Sequence, residues 1–283
     1  MKKVLLSVAV LALLAPSAFA QLKLPRPSQK GSVMQTVGLT DVTITYSRPG
    51  VKGRTIWGDL VPYDKVWRTG ANEATTIVFS RDVSINGKPL PAGTYSLHTI
   101  PGTTSWTIIF NKKADQWGSY SYDAAQDALR VEAAPAAGPH VEWLTFSFPD
   151  VKNESAQVEL AWEKVRVAFT IGVDTNTQAL AEIRKTLAGE VKEWNVPYGA
   201  AGFVFNNNLD NKAEAMKWID QSIAMKETFY NLRLKAQMLA KDGKTKDAVA
   251  FGEKAVAAGK TDPNAADEVA KLEKQIAEWK SGK

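Results

Sequence analysis

The chain has 283 residues, 45% of them hydrophobic and 23% charged, the balance of a folded globular protein with length enough for two domains. Its 35 basic and 30 acidic side chains give a formal charge of +5, or +3 (33 − 30) once Lys2 and Lys3 are set aside, too small and too dispersed for a nucleic-acid partner. With no cysteine, the protein has no disulfide, thiolate metal site, cysteine nucleophile or lipid anchor on cysteine.

In chain order, Met1-Lys2-Lys3 is a short basic start, Val4 to Ala15 is apolar apart from Ser7, and Ala18-Phe19-Ala20 has the small-x-small pattern of a cleavage site. Residues 1–20 therefore read as a secretory signal peptide, cut after Ala20, and the mature protein is expected in the periplasm or outside the cell. No later stretch approaches the roughly 20 apolar residues of a membrane span. Residues 21–32, with two prolines and mixed polar side chains, read as a flexible lead-in.

Residues 33–172 read as an antiparallel β-sandwich. Val42, Ile44 and Tyr46 alternate with Thr43, Thr45 and Ser47, the period of a half-buried strand. After the loop Val66–Thr75 comes an apolar strand, Thr76-Ile77-Val78-Phe79. Asn86-Gly87 is a hairpin signal, because both central residues of a type I′ turn need positive φ. Tyr95–Thr99, Trp106–Asn111, Leu129–Val131 and Leu144–Phe148 continue the strands, with Pro135 to Pro139 as a small-residue turn. In the last strand Val158, Leu160 and Trp162 share one parity and Val165, Val167 and Phe169 the other, which predicts a bulge near Glu163-Lys164.

Residues 173–283 read as a helical region. Leu180, Ile183, Leu187, Val191 and Trp194 recur at helical spacing after a capping box at Thr175 and Gln178, and Pro197 interrupts the pattern. Aligning Ala215 with Ala248 sets Trp218 opposite Phe251, Ser222 opposite Ala255 and Ile223 opposite Val256, an offset close to the 34 residues of a tetratricopeptide (TPR) unit. Leu232, Ala236 and Leu239 mark a helix ended by Asp242-Gly243, and a last helix spans about Ala265 to Trp279. A small solenoid of this kind would offer a groove to a peptide or protein partner.

The sequence carries few chemical motifs. His98 and His140 are the two histidines, 42 residues apart, and neither has a partner at zinc-ligand spacing. Gly243-Lys244-Thr245 lacks the earlier glycine of a P-loop, since Met238 holds that position. No Gly-x-Ser-x-Gly elbow or dinucleotide fingerprint is present, and no metal or cofactor is expected.

The stretch from Gln35 to Val131 resembles the DUF2911 family, uncharacterised secreted proteins common in Bacteroidota. The segments that carry the resemblance are Thr45–Pro49, Gly53–Gly58, Leu60–Tyr63, Val66–Thr75, Ile85–Leu97, Trp106–Asn111 and Asp115–Gly118. The likeness fades toward residue 172 and does not reach the helices. It implies a secreted, mainly β domain and supplies no activity or catalytic residue.

The candidate ligand-binding residues are Arg48, Trp67, Arg68, Asn72, Glu73, Trp117 and Tyr120. One reading is a buried network in which Arg48 and Arg68 pair with Glu73 to brace the loop. The other is an arginine-lined pocket for a carboxylate or sugar, with Trp67 or Trp117 as a stacking platform. Trp57, Trp106, Trp143 and Trp162 are expected in the core, and Trp117 and Tyr120 at the surface. A non-enzymatic binding or scaffolding protein is expected, with a glycan on the β domain or a peptide on the helices. The alternative is a carboxylate-based hydrolase of envelope glycans using Glu73.

Overall fold

The structure, a computed structural model, describes residues 24–282. The expected signal peptide and its cleavage site lie outside them. The chain divides into two compact units, at Asp174 and Thr175.

The first unit holds strands β1 (Gln29–Val37), β2 (Thr40–Arg48), β3 (Thr75–Phe79), β4 (Val83–Ile85), β5 (Lys88–Leu90), β6 (Gly93–Ile100), β7 (Trp106–Asn111), β8 (Asp127–Ala133), β9 (Ala136–Val151) and β10 (Ser155–Gly172). They form two antiparallel sheets, ordered β1-β2-β3-β6-β7-β8 and β5-β4-β10-β9. One hydrophobic cluster joins their inner faces: Val42, Ile44 and Tyr46 of β2, Ile77 and Phe79 of β3, and Leu97 and Phe110 of the central strands meet Leu144, Leu160, Trp162 and Phe169. Each such fully buried side chain contributes roughly 1.5–3 kcal/mol through removal of its apolar surface from water.

Local chemistry explains the turns. Asn86 and Gly87 both have positive φ, 48° and 80°, and close the β4–β5 hairpin. The predicted bulge is at Glu163, whose φ is 53° and where the β9–β10 register shifts on both sides. That extra residue lets Trp162 and Val167 both face the core.

Three expectations are corrected. The lead-in is shorter than 21–32, because β1 begins at Gln29 and pairs with β2 through to Arg48. The turn after β8 is shorter than Pro135 to Pro139, since β9 starts at Ala136. Both segments are polar or small-residued, and their pairing comes from the neighbouring strand rather than from apolar alternation. Thirdly, the first helix does not reach Trp194, as described next.

The second unit holds α1 (Thr175–Leu187), α2 (Asn195–Asn206), α3 (Lys212–Met225), α4 (Phe229–Lys241), α5 (Thr245–Gly259) and α6 (Ala266–Ser281). α1 stops at Leu187 just before Ala188-Gly189, and Pro197 sits in the first turn of α2, where its missing N–H costs nothing. α2 and α4 begin 34 residues apart (229 − 195) and α3 and α5 begin 33 apart (245 − 212). Asn208 and Gly243, each two residues past a helix end, share the left-handed conformation that stops α2 and α4. Ser222 differs from its counterpart Ala255 because its hydroxyl donates to the Trp194 carbonyl at 2.8 Å and accepts from Asn231 Nδ2 at 3.0 Å. Gly252 and Gly259 permit close helix crossing, since a Cβ on Gly259 would lie 2.4 Å from Val269 Cγ2. Among the described residues no helix is long and apolar enough to cross a membrane.

Candidate functional site

The loop Val66–Thr75 is built by hydrogen bonds between neutral groups. Trp67 exchanges backbone bonds with Thr99, its N–H donating at 2.7 Å and its carbonyl accepting at 2.9 Å. Thr75 Oγ1 donates to the Thr69 carbonyl at 2.7 Å, and Thr69 Oγ1 donates to the Trp67 carbonyl at 3.2 Å. Thr69 and Asn72 hold φ of 56° and 59°, costly for a β-branched threonine and tolerated because these bonds over-determine the turn. Gly70 is required by close approach: a Cβ there would lie 3.1 Å from the Ser47 carbonyl oxygen.

Trp67 is not a stacking platform. It is 9% exposed, its Nε1 donates to the Gly70 carbonyl, and its ring packs 5.9 Å from Trp162 in a cluster with Trp57 and Trp106. The run of polar neighbours around Trp67 hid this, because the indole points inward while the loop's polar groups bond to one another.

The expected pairing of Glu73 with Arg48 and Arg68 does not occur either. Its partner is Arg26 of the lead-in, whose Nη1 donates to Oε1 at 2.6 Å and Oε2 at 2.9 Å. Both side chains are about half exposed, 51% for Arg26 and 44% for Glu73. The Arg26 hydrogen bond, stronger than the opposing desolvation, holds the Glu73 carboxyl below the usual carboxylate range. Arg48 instead donates from Nε to the Leu144 carbonyl and from Nη2 to Thr145 Oγ1, tying the two sheets. Arg68 is partly buried, with its Nε enclosed and unpartnered. Asn72 Nδ2 donates to the Ser28 carbonyl at 3.1 Å, fastening the lead-in to the loop.

Tertiary pairing does bring Glu73 beside the second loop. Glu73 and Trp117 form an isolated antiparallel bridge, with Ala74 N–H donating to Gln116 O and Gly118 N–H to Asn72 O. Arg26 Cζ lies 5.6 Å from the Trp117 ring centroid, so one guanidinium serves both the carboxylate and the indole. Trp117 is 55% exposed and Tyr120 is 87% exposed, two surface rings on a loop pinned by these bonds. A cavity of about 180 Å³ on the outer face of the six-stranded sheet is lined by Glu73 and by Ala114, Asp115 and Gln116, the residues just before Trp117. Its polar lining includes Lys30, Thr45, Ser47, Glu73, Asp115 and Gln116.

Beneath the same loop lies a buried polar layer. Gln116 Nε2 donates to Ser96 Oγ at 3.2 Å, and Asn111 Nδ2 donates to Asp127 Oδ1 at 2.7 Å. His98 is fully enclosed, and burial drives its pKa down to about 4, although the Gly118 backbone and the Asp127 charge pull it up. Neither of its ring nitrogens closes a hydrogen bond. Tyr122 donates to Asp127 Oδ2 at 2.7 Å, and burial followed by that carboxylate pushes its phenol up to about 12.

Arg26, Lys30 and Trp143 were missed by sequence reasoning. Trp143, expected in the core, is 43% exposed and leans on Gly50 at the start of the β2–β3 connection. No local pattern marks Arg26, because its role depends on a partner 47 residues away.

Residues 28–171 match the model of a family described as a protein of unknown function, DUF2911. No curated protein and no solved structure matches the chain.

Proposed function

The chain belongs to the DUF2911 family, and from that premise we propose that it is a non-enzymatic, glycan-binding protein of the periplasm or cell exterior. The observation that carries this reading is the pair of exposed rings, Trp117 and Tyr120, on a pinned loop whose preceding residues, Asp115 and Gln116, line a polar cavity. Flat apolar faces stack on sugar rings, while Glu73, Asp115 and Ser47 suit the surrounding hydroxyls. Isothermal titration of the full chain with neutral hexose trimers tests it. Trp117→Ala is expected to weaken binding roughly tenfold with circular dichroism unchanged, the loss of one well-placed aromatic contact. Unaltered affinity in Trp117→Ala combined with Tyr120→Ala would sink the reading.

The same cavity carries two carboxylates, which is what a hydrolase would need. Arg26 holds Glu73 below the usual carboxylate range, which opposes a general-acid role for it, and its guanidinium contacts both carboxylate oxygens that a base or nucleophile would need free, so binding is the better-supported role. Glycan turnover by the wild type that vanishes in Glu73→Gln would reverse that preference.

The expected leader, residues 1–20, supports the location. The amino-terminal sequence of protein recovered from the envelope fraction tests it, with Gln21 as the expected first residue. The 34-residue spacing of the helical hairpins supports a TPR-like scaffold that holds a peptide. A cavity of about 260 Å³ lined by Val204, Phe205, Leu209 and Met238 is the place for an apolar side chain of that peptide. On a peptide array, Met238→Glu should abolish whatever signal the wild type gives; persistence of the signal rules this cavity out.

A further inference from the structure

A second cavity of the β unit lies on the other face of β1. Register pairs Gln29 with Arg48, Lys30 with Ser47 and Gly31 with Tyr46. Strand alternation therefore sets Lys30 and Ser47 on the outer face, and Gln29, Gly31 and Arg48 on the face that Tyr46 turns toward the second sheet. At that mouth is a cavity of about 310 Å³ lined by Pro27, Gln29, Lys30, Gly31, Arg48 and Trp143. Of the lining residues on this face Arg48 is cationic, and none of the lining residues is acidic.

Arg48 is oriented by the protein rather than neutralised by it. Nε donates to the Leu144 carbonyl at 2.9 Å and Nη2 to Thr145 Oγ1 at 2.8 Å, both neutral acceptors. Thr145 Oγ1 in turn donates to the Trp143 carbonyl at 2.8 Å. These bonds use the side-on edge of the guanidinium, Nε–H and one Nη2–H. The end-on edge, Nη1–H with the other Nη2–H, is left as two parallel donors, the fork that matches a carboxylate. A partly buried cation among neutral acceptors is stabilised by an anion brought to it.

The surroundings are built to hold this geometry. A Cβ on Gly31 would lie 3.1 Å from Arg48 Cδ, so glycine there lets β1 close over the arginine stem. Trp143 is bridged to Gly50, and a Cβ on Gly50 would lie 3.2 Å from its Cζ3, which fixes the indole from one side. The ring remains 43% exposed. A cavity of this volume is at the small end of ligand sites, with room for one ring.

We propose that this cavity binds the carboxylate of a uronate residue in an acidic glycan. Arg48 is the bidentate donor and Trp143 the stacking wall. The sugar body of this ligand rests on the glycan reading above; its carboxylate rests on Arg48 and the absence of acid in the lining.

Calorimetry of the full chain with a galacturonate trimer and with the neutral galactose trimer tests the proposal. The acidic trimer is expected to bind roughly tenfold tighter, the size of effect an oriented charge pair produces, and high salt should narrow the gap. Arg48→Gln should erase the preference. Because Arg48 also ties the sheets, Trp143→Ala, at a half-exposed position, is the companion variant, and it should reduce the preference severalfold with the fold intact. Equal affinity for the two trimers overturns the proposal, as does binding of neither, or a preference unchanged in Trp143→Ala or in a folded Arg48→Gln. Trp117→Ala separates the two readings. If the glycan reading fails, that variant binds the neutral trimer as the wild type does. If only the acid site fails, Trp117→Ala weakens both trimers alike and Arg48→Gln changes neither.

Discussion

Glu73 shows how a single partner decides what a carboxylate can do. Its pKa is lower folded than unfolded, so the pairing adds stability above the unfolded value and loses it as pH falls through the folded one. Arg26→Ala should return the carboxyl toward 4.5 by NMR titration and cost less than about 1 kcal/mol at pH 7, because both partners are half exposed. An unmoved titration would show that Arg26 is not the cause. His98 has the same proton balance for a different reason: Arg26 favours the ionised form of Glu73, whereas burial favours the neutral form of His98. Its pKa of about 4 lies below the ordinary 6.5, so the unfolded chain takes up the proton first and stability declines as pH drops across that interval. The interval corresponds to on the order of 3 kcal/mol. Since neither ring nitrogen is hydrogen-bonded, His98→Leu should be near neutral at pH 7 and more stable than wild type at pH 4. Parallel pH profiles of urea stability in the two proteins would refute this.

Elements were legible where one face is apolar. β2, β6 and the bulged β10 follow from alternation, and the Glu163 bulge from a parity change that no regular strand permits. Glu163 holds a left-handed φ while its Oε2 accepts from Lys164 N at 2.5 Å. If backbone conformation governs the site, Glu163→Val costs about 1–2 kcal/mol and Glu163→Gly does not. Equal losses in denaturant unfolding would assign the effect to the side chain instead. β1 was not foreseen as far back as Gln29, since its residues there are polar and the strand exists because β2 offers an edge. α1 ended early for a related reason: Val191 and Trp194 keep the spacing of α1, but Gly189 and the start of α2 interrupt the backbone that would carry it.

At the scale of the whole molecule, the two units have apolar clusters of their own. The sandwich cluster draws only on residues before Asp174, and the two helical clusters only on residues after it. A hydrophobic core of its own is what independent folding of a unit demands. Residues 24–174 and 175–283, expressed separately, should each unfold cooperatively with native-like circular dichroism. A fragment that stays unfolded alone, yet folds when its other half is added, would contradict this.

What the sequence determined by itself was the order of the elements and the class of fold, because periodicity and turn chemistry are local: residues two or four apart report which face meets the core. The candidate site was legible only as two loops. Which arginine reaches Glu73, why Trp67 is sealed in a tryptophan cluster, and why Trp143 faces a cationic mouth were decided by tertiary structure. Those outcomes depend on strand register and on chain segments dozens of residues apart, and a charge or ring gives no local sign of which distant partner will be brought to it.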